Sequence, residues 1–232
     1  MIQPPAAEKK VAVVGGGPAG MEAALVAAER GHSVTLYEQS GSLGGLLKTA
    51  DGVAFKWPVR DFTEYLARRV EKANIKLHLN VRTTAEELSK EGYDVVLVAV
   101  GSTPVVPGIA GIDGPNVLYA VDVYGHEDSL AENVVVIGGG EVGVETGLHL
   151  AEKGHNVTLL EMLDTLAPDA TPALHYRDLL LGALEEQRRF TCLVNARCTA
   201  ISRSIMSSRS RQTTSFWFCR FPSTIATWKC RR

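Results

Sequence analysis

The sequence predicts an α/β protein made of two parallel-sheet units, each opening on a strand, a glycine-rich turn and a helix. Three observations carry that prediction. VAVVGGGPAGME at 11–22 recurs as VVVIGGGEVGVE at 134–145. Gly15, Gly17, Gly20 and Glu38 are matched by Gly138, Gly140, Gly143 and Glu161, each pair 123 residues apart. The following turn repeats as well, ERGHSVTLYE in one copy and EKGHNVTLLE in the other, so one structural device is used twice.

The elements follow from local pattern. Lys10–Val14 is a short β-branched run leading into the glycines, and residues 19–30 carry the Ala, Glu and Leu of a helix. Gly31 stops that helix, and SVTLYE at 33–38 alternates as a strand does. A loop rich in glycine and leucine covers 41–47, after which 59–73 reads as a helix and 75–80 as a strand. YDVVLVAV at 93–100 predicts a buried strand closed by Gly101. Residues 103–115 are dense in proline and glycine and mark a crossover. The first pattern then returns, with Asn133–Ile137 as a strand, 141–153 as a helix stopped by Gly154, and 156–161 as a strand. A helix over 172–187 and a strand over 192–201 complete the pattern.

The glycines have a chemical reading. In both copies an apolar strand runs into them, a helix begins on them, and an acid closes the next strand 18 residues after the third glycine. The first glycine permits a tight turn, the second lets a pyrophosphate approach the backbone, and the third lets helix and strand pack closely. Amides at the helix start, with the positive end of the helix dipole, favour the phosphate charge. Each unit is therefore a Rossmann-like dinucleotide-binding domain. Glu38 and Glu161 stand where a carboxylate accepts from a ribose 2′-OH, and EMLD at 161–164 offers no arginine for a 2′-phosphate. That favours NAD(H) over NADP(H) at the second turn. The domains run over 10–103 and 104–202, after a linker at 1–9 and before an irregular basic tail at 203–232.

Composition excludes several classes. Hydrophobic residues at 45% and charged residues at 22% describe a globular protein rather than a disordered one. The net charge of −2 gives no reason to invoke nucleic acid or a membrane surface. It hides an asymmetry, because 203–232 holds seven Lys or Arg and no acid, leaving −9 (−2 minus 7) for 1–202. Residues 1–10 have no hydrophobic core, and apolar runs fall far short of the roughly 20 residues that span a bilayer. The reading is cytoplasmic. Cys192, Cys198, Cys219 and Cys230 form no C-x-x-C pair, which leaves zinc, an iron–sulfur cluster or a redox dithiol without support. His32 and His155 follow helix-stop glycines and read as turn residues, while Arg60 and Asp61 read as the opening of a helix.

The two copies differ in ways that fit an electron-transfer pair. The first has Pro18 and Ala19 where the second has Glu141 and Val142, and only the first is followed by GSLGGLL at 41–47. Together with VVLVAVGSTP at 95–104, these segments resemble NADH:flavin oxidoreductases of the 2,4-dienoyl-CoA reductase, enoate reductase and trimethylamine dehydrogenase type. The resemblance covers residues 8–201 and implies an FAD domain interrupted by an inserted NAD(P) domain. It implies FAD pyrophosphate on Gly15, Gly17, Pro18, Ala19 and Gly20, adenosine ribose on Glu38, and flavin along Leu43, Gly44, Gly45 and Leu46. Ala99 and Gly101 resemble the turn where the chain leaves the FAD sheet. Gly138, Gly140, Glu141, Val142 and Gly143, with Glu161, would hold NAD(H). ADP is an alternative occupant of the first site.

The resemblance also implies a partner region, a barrel carrying FMN and [4Fe–4S], and a closing segment that finishes the FAD domain. Neither is found in these 232 residues, and the tail after 202 reads as a truncated or frameshifted continuation. The expected function is movement of electrons between NAD(H) and flavin, with no catalytic acid, base or nucleophile assigned. The competing reading is a dinucleotide-binding fragment without turnover. A stand-alone disulfide reductase would need the C-x4-C or C-x-x-C pair that the sequence lacks.

Overall fold

The computed structural model describes residues 5–50, 56–170, 175–202 and 226–228. The chain divides after Thr103 into two compact units. In the first, β1 (Lys10–Val14), β2 (Ser33–Tyr37), β3 (Ile75–His78) and β4 (Val95–Val98) form a parallel sheet in the order β3-β2-β1-β4. Val11, Ala12 and Val13 of β1 are buried in succession, as expected of a central parallel strand covered on both faces. Helix α1 (Pro18–Glu29) opens with proline at its first position, where a missing N–H costs nothing. Its Met21, Ala24 and Leu25 meet Leu36 of β2 in the core, joined by Leu66 and Val70 from α3 (Trp57–Lys72). A short helix, α2 (Leu47–Ala50), follows the glycine–leucine loop.

Two features of this unit depart from the sequence reading. The strand at 93–100 is shorter, covering Val95–Val98, and it is not buried: Val98 is 72% exposed. β4 pairs only with β1, so its outer edge has no strand beside it among the described residues. A hydrophobic run reports strand propensity, not which strand lies at the edge. The second departure is α4 (Ala85–Lys90), which the sequence reading passed over. Thr84 and Glu87 cap it reciprocally, with the Glu87 amide donating to Thr84 Oγ1 and the Thr84 amide to Glu87 Oε2.

The second unit pairs β5 (Asn133–Ile137), β6 (Asn156–Leu160) and β7 (Phe190–Val194) in parallel, with β8 (Ala226–Trp228) antiparallel to β7. Thus β8 falls within the tail read as irregular, and the rest of 203–225 and 229–232 lies outside the described residues. β7 is earlier and shorter than the strand expected over 192–201, because Asn195 turns the chain with φ +55°. Helix α5 (Glu141–Glu152) is buried continuously from Val144 to Ala151. Its polar members are all satisfied. Thr146 bonds Tyr124, Glu145 accepts from Tyr176, and His149 Nε2 meets Glu127 Oε1 at 2.7 Å. Helix α6 (Tyr176–Glu186) begins later than expected; residues 171–174 lie outside the described set. Arg60 and Asp61 are exposed on α3, with Asp61 just past its first turn. Among the described residues no helix is long and apolar enough to cross a membrane.

Candidate dinucleotide sites

The first turn is fixed by contacts that tolerate almost no side chain. Gly15 takes φ +107° and its amide donates to the Tyr37 carbonyl at 2.8 Å. A Cβ there would lie 2.2 Å from the Ala99 oxygen, and a Cβ on Gly20 would lie 1.8 Å from the Gly15 oxygen. Real Cβ atoms do not approach so closely, so helix α1, the turn and the end of β4 touch through bare backbone. Ala99 is held by its own amide, which donates to the Val14 carbonyl at 2.8 Å, and Gly101 beyond it adopts φ +72°. Gly17 is different. Nothing lies nearer than 3.9 Å to a Cβ built on it, and that nearest atom is Gly45 Cα. The mouth of the turn is open backbone at the start of a helix, which fits a pyrophosphate. Pro18 and Ala19 continue the helix from that mouth, and Ala19 is exposed.

Glu38 holds the turn from the side. It is 7% exposed; Oε2 accepts from the Gly16 amide at 2.6 Å, and Oε1 accepts from the Ser40 amide and hydroxyl, both at 2.7 Å. A carboxylate offers about four acceptor positions, so these three leave capacity for one more donor. Burial by itself would push the Glu38 carboxyl up, but the hydrogen bonds from Ser40 and Gly16 prevail, with help from the Lys48 charge, and hold it below its ordinary value. A depressed value means stability present above the ordinary carboxylate range and lost as pH falls through the native value. Urea midpoints measured from pH 6 to 3 are therefore expected to fall steeply below about pH 4.5 in the native chain, and less steeply in E38Q. Equal slopes would refute that account.

The glycine–leucine loop closes over the turn. The Gly44 amide donates to the Gly16 carbonyl at 2.9 Å, and Leu43, buried in the core, lies so close that a Cβ on Gly16 would sit 2.6 Å from its Cδ2. Of the four loop residues, Leu43 thus supports the turn from the core side, and Leu46 is half-exposed. Gly44 and Gly45 need φ +124° and +54°.

The second turn repeats this construction. Gly138 takes φ +105°, its amide donates to Leu160 at 2.9 Å, and a Cβ on Gly143 would lie 1.9 Å from the Gly138 oxygen. Glu161, also 7% exposed, accepts from the Gly139 amide at 2.6 Å and the Leu163 amide at 2.7 Å, with acceptor positions to spare. Glu141 and Val142 follow as the first helical residues, and Val142 is 55% exposed.

One expectation is corrected here. The sequence shows no glycine–leucine loop after Glu161, yet an equivalent loop exists. The Ala167 amide donates to the Gly139 carbonyl at 2.7 Å, and a Cβ on Gly139 would lie 2.8 Å from Leu166 Cδ2. Leu166, Ala167, Pro168 and Asp169 follow Leu43, Gly44, Gly45 and Leu46 by the same 123 residues. Ala167 even keeps the positive φ of Gly44, at +47°. The sequence reading missed Leu166 and Asp169; continuing the 123-residue register past Glu161 is the signal that finds them. Asp169 makes the mouths unlike. Its Oδ1 accepts from the Glu141 amide at 2.8 Å, and its Oδ2 lies 3.0 Å from a Cβ built on Gly140.

His32 and His155 are turn residues: His32 Nδ1 accepts from the Lys9 amide, and His155 Nδ1 lies 2.9 Å from the Ala131 carbonyl oxygen.

Comparison with known proteins agrees with this architecture. The pyridine nucleotide-disulphide oxidoreductase family matches residues 9–204. An NADH oxidase of Thermoanaerobacter brockii is 45% identical over 169 residues, covering 71% of this chain and 26% of the relative. A bilirubin reductase of Mediterraneibacter gnavus is 36% identical over 211 residues, covering 91% of this chain and 32% of the relative. A 2-naphthoyl-CoA reductase solved with 2-naphthoyl-CoA superposes with a TM-score of 0.80 at 34% identity, over 87% of this chain and 30% of that one. The chain thus spans about a quarter to a third of the length of these relatives. With two Rossmann-type turns and a match over most of its length, the chain belongs to the pyridine nucleotide-disulphide oxidoreductase family of FAD/NAD(P)-binding proteins.

Proposed function

We propose that this chain is the electron-transfer part of an NADH-dependent flavoprotein, with FAD at the first turn and NAD(H) at the second. The observation that carries the reading is the paired construction: two helix N-termini, each with a glycine turn pinned by a buried glutamate, Glu38 in one unit and Glu161 in the other. When bound, the flavin supplies a two-electron acceptor for hydride from NADH. The protein's own contribution is binding and orientation. Gly15, Gly17, Pro18, Ala19 and Gly20 form the first phosphate cradle, and Gly138, Gly140, Glu141, Val142 and Gly143 the second. Glu38 and Glu161 each retain acceptor capacity for a ribose hydroxyl. Gly44, Gly45 and Leu46, with Ala99 and Gly101, would take the flavin; Gly45 faces Gly17 and Ala99 abuts Gly15, which supports that reading. A carboxylate at Glu161, with no arginine in 162–164, favours NAD(H) over NADP(H). The reducible substrate belongs to a further region, for which the barrel with FMN and [4Fe–4S] is the candidate partner.

The test uses the purified chain, incubated with FAD, desalted and titrated with NADH without oxygen. A yellow protein whose flavin absorbance bleaches is the expected result. A colourless protein that binds NADH by calorimetry would replace this reading with that of a dinucleotide-binding fragment.

A further inference from the structure

The two mouths differ in charge: the second carries Glu141 where the first has Pro18, and Asp169 where the first has Leu46. At the first, Gly45 stands opposite Gly17, and the nearest atom to a Cβ on Gly17 is 3.9 Å away. At the second, the loop position equivalent to Leu46 is Asp169, whose carboxylate takes the Glu141 amide at 2.8 Å and whose Oδ2 would lie 3.0 Å from a Cβ built on Gly140. Helix geometry leaves the amides of Glu141, Val142 and Gly143 without an intrahelical acceptor, and these are the donors a pyrophosphate needs. Asp169 is thus an anion built into the cradle that an anionic ligand must share. Pro18 supplies no N–H at the corresponding place in α1, and α1 has no side-chain cap.

We propose that Asp169 is the residue that makes the second turn a weak, exchangeable dinucleotide site, while the first, without such a charge, is built for retention. The inference rests on the reading of the second turn as an NAD(H) site. The physics is competition. The carboxylate already neutralises part of the positive end of the α5 dipole, and a pyrophosphate arriving there meets a like charge. The assignment suits the chemistry, because a dinucleotide consumed in each turnover must leave, whereas a prosthetic flavin must not. Asp169 is solvent-exposed, so the effect is modest and sensitive to salt.

The experiment is calorimetric titration of the full chain and of D169N with NADH, at low and high salt. Asparagine keeps the acceptor for the Glu141 amide and caps helices as well as aspartate does, so only the charge changes. D169N is expected to bind NADH about three- to fivefold tighter at low salt, with the gain vanishing at high salt. If the native chain binds NADH and folded D169N binds no better, this inference falls and the NAD(H) site stands. If neither chain binds NADH, the site assignment falls and takes the inference with it. A second variant, L46D, puts the charge at the equivalent position of the first turn and is read with ADP. Weaker ADP binding at low salt is expected, and unchanged binding overturns the proposal even should D169N fail to fold.

Discussion

Gly20→Ala and Gly143→Ala are each expected to unfold the unit they belong to. In both, the new methyl would have to occupy space 1.8 or 1.9 Å from a backbone oxygen, that of Gly15 or Gly138. Neither oxygen can retreat, because the Gly15 amide is bonded to Tyr37 and the Gly138 amide to Leu160. Alanine would gain about 1 kcal/mol in helix propensity, but forced overpacking of fixed backbone costs more than about 4 kcal/mol, so the steric term wins. Gly182 in α6 is the control: a Cβ there meets nothing within 4 Å. G182A should therefore stabilise the chain by about 0.5–1 kcal/mol. Urea unfolding followed by circular dichroism separates the three. A cooperative, native-like transition in G20A or G143A would refute this account of how helix meets strand.

Glu161→Ala is expected to act on both folding and selectivity. Removing the carboxylate strips the Gly139 and Leu163 amides of their acceptor beneath a buried turn. Of the two, the Gly139 amide is buried and Leu163 is exposed, and a buried donor left alone costs about 1–3 kcal/mol, so a loss of about that size is expected in urea. NADH affinity should fall about tenfold or more, since the turn loses its pin and the ribose its acceptor. NADPH should lose less, because repulsion of its 2′-phosphate disappears with the charge. The ratio of the two dissociation constants, measured on folded protein, isolates the second effect from the first. If E161A leaves both affinities where they were, Glu161 does not belong to a nucleotide site.

The glycine turns were legible because their logic is local: strand, turn and helix follow one another within a dozen residues, and β5 was read with its observed bounds. The loops that close over the turns were legible only by halves. GSLGGLL announces itself through glycine, whereas LAPD at 166–169 does the same job with alanine at φ +47° and carries no such signal. Thr84 and Glu87 bear the spacing of a reciprocal cap, so α4 was readable and was missed. The exposure of β4 was not readable at all. Val96, Leu97 and Val98 are apolar whether a neighbour covers them or not, and only the pairing pattern reveals that β4 has a single neighbouring strand among the described residues. Glu38 and Glu161 were read as ribose ligands. Their bonds to Gly16 and Gly139 are invisible in sequence because they join residues 22 positions apart.

Those acid-to-amide bonds have a thermodynamic consequence. A glycine-rich loop is normally the most disordered part of a chain, and freezing it around a ligand would drain affinity at the moment of association. Here each loop is locked from below by a carboxylate and from above by an amide of the succeeding segment. The entropy of ordering is thereby charged to the folding reaction, and an arriving nucleotide meets a cradle that is already rigid.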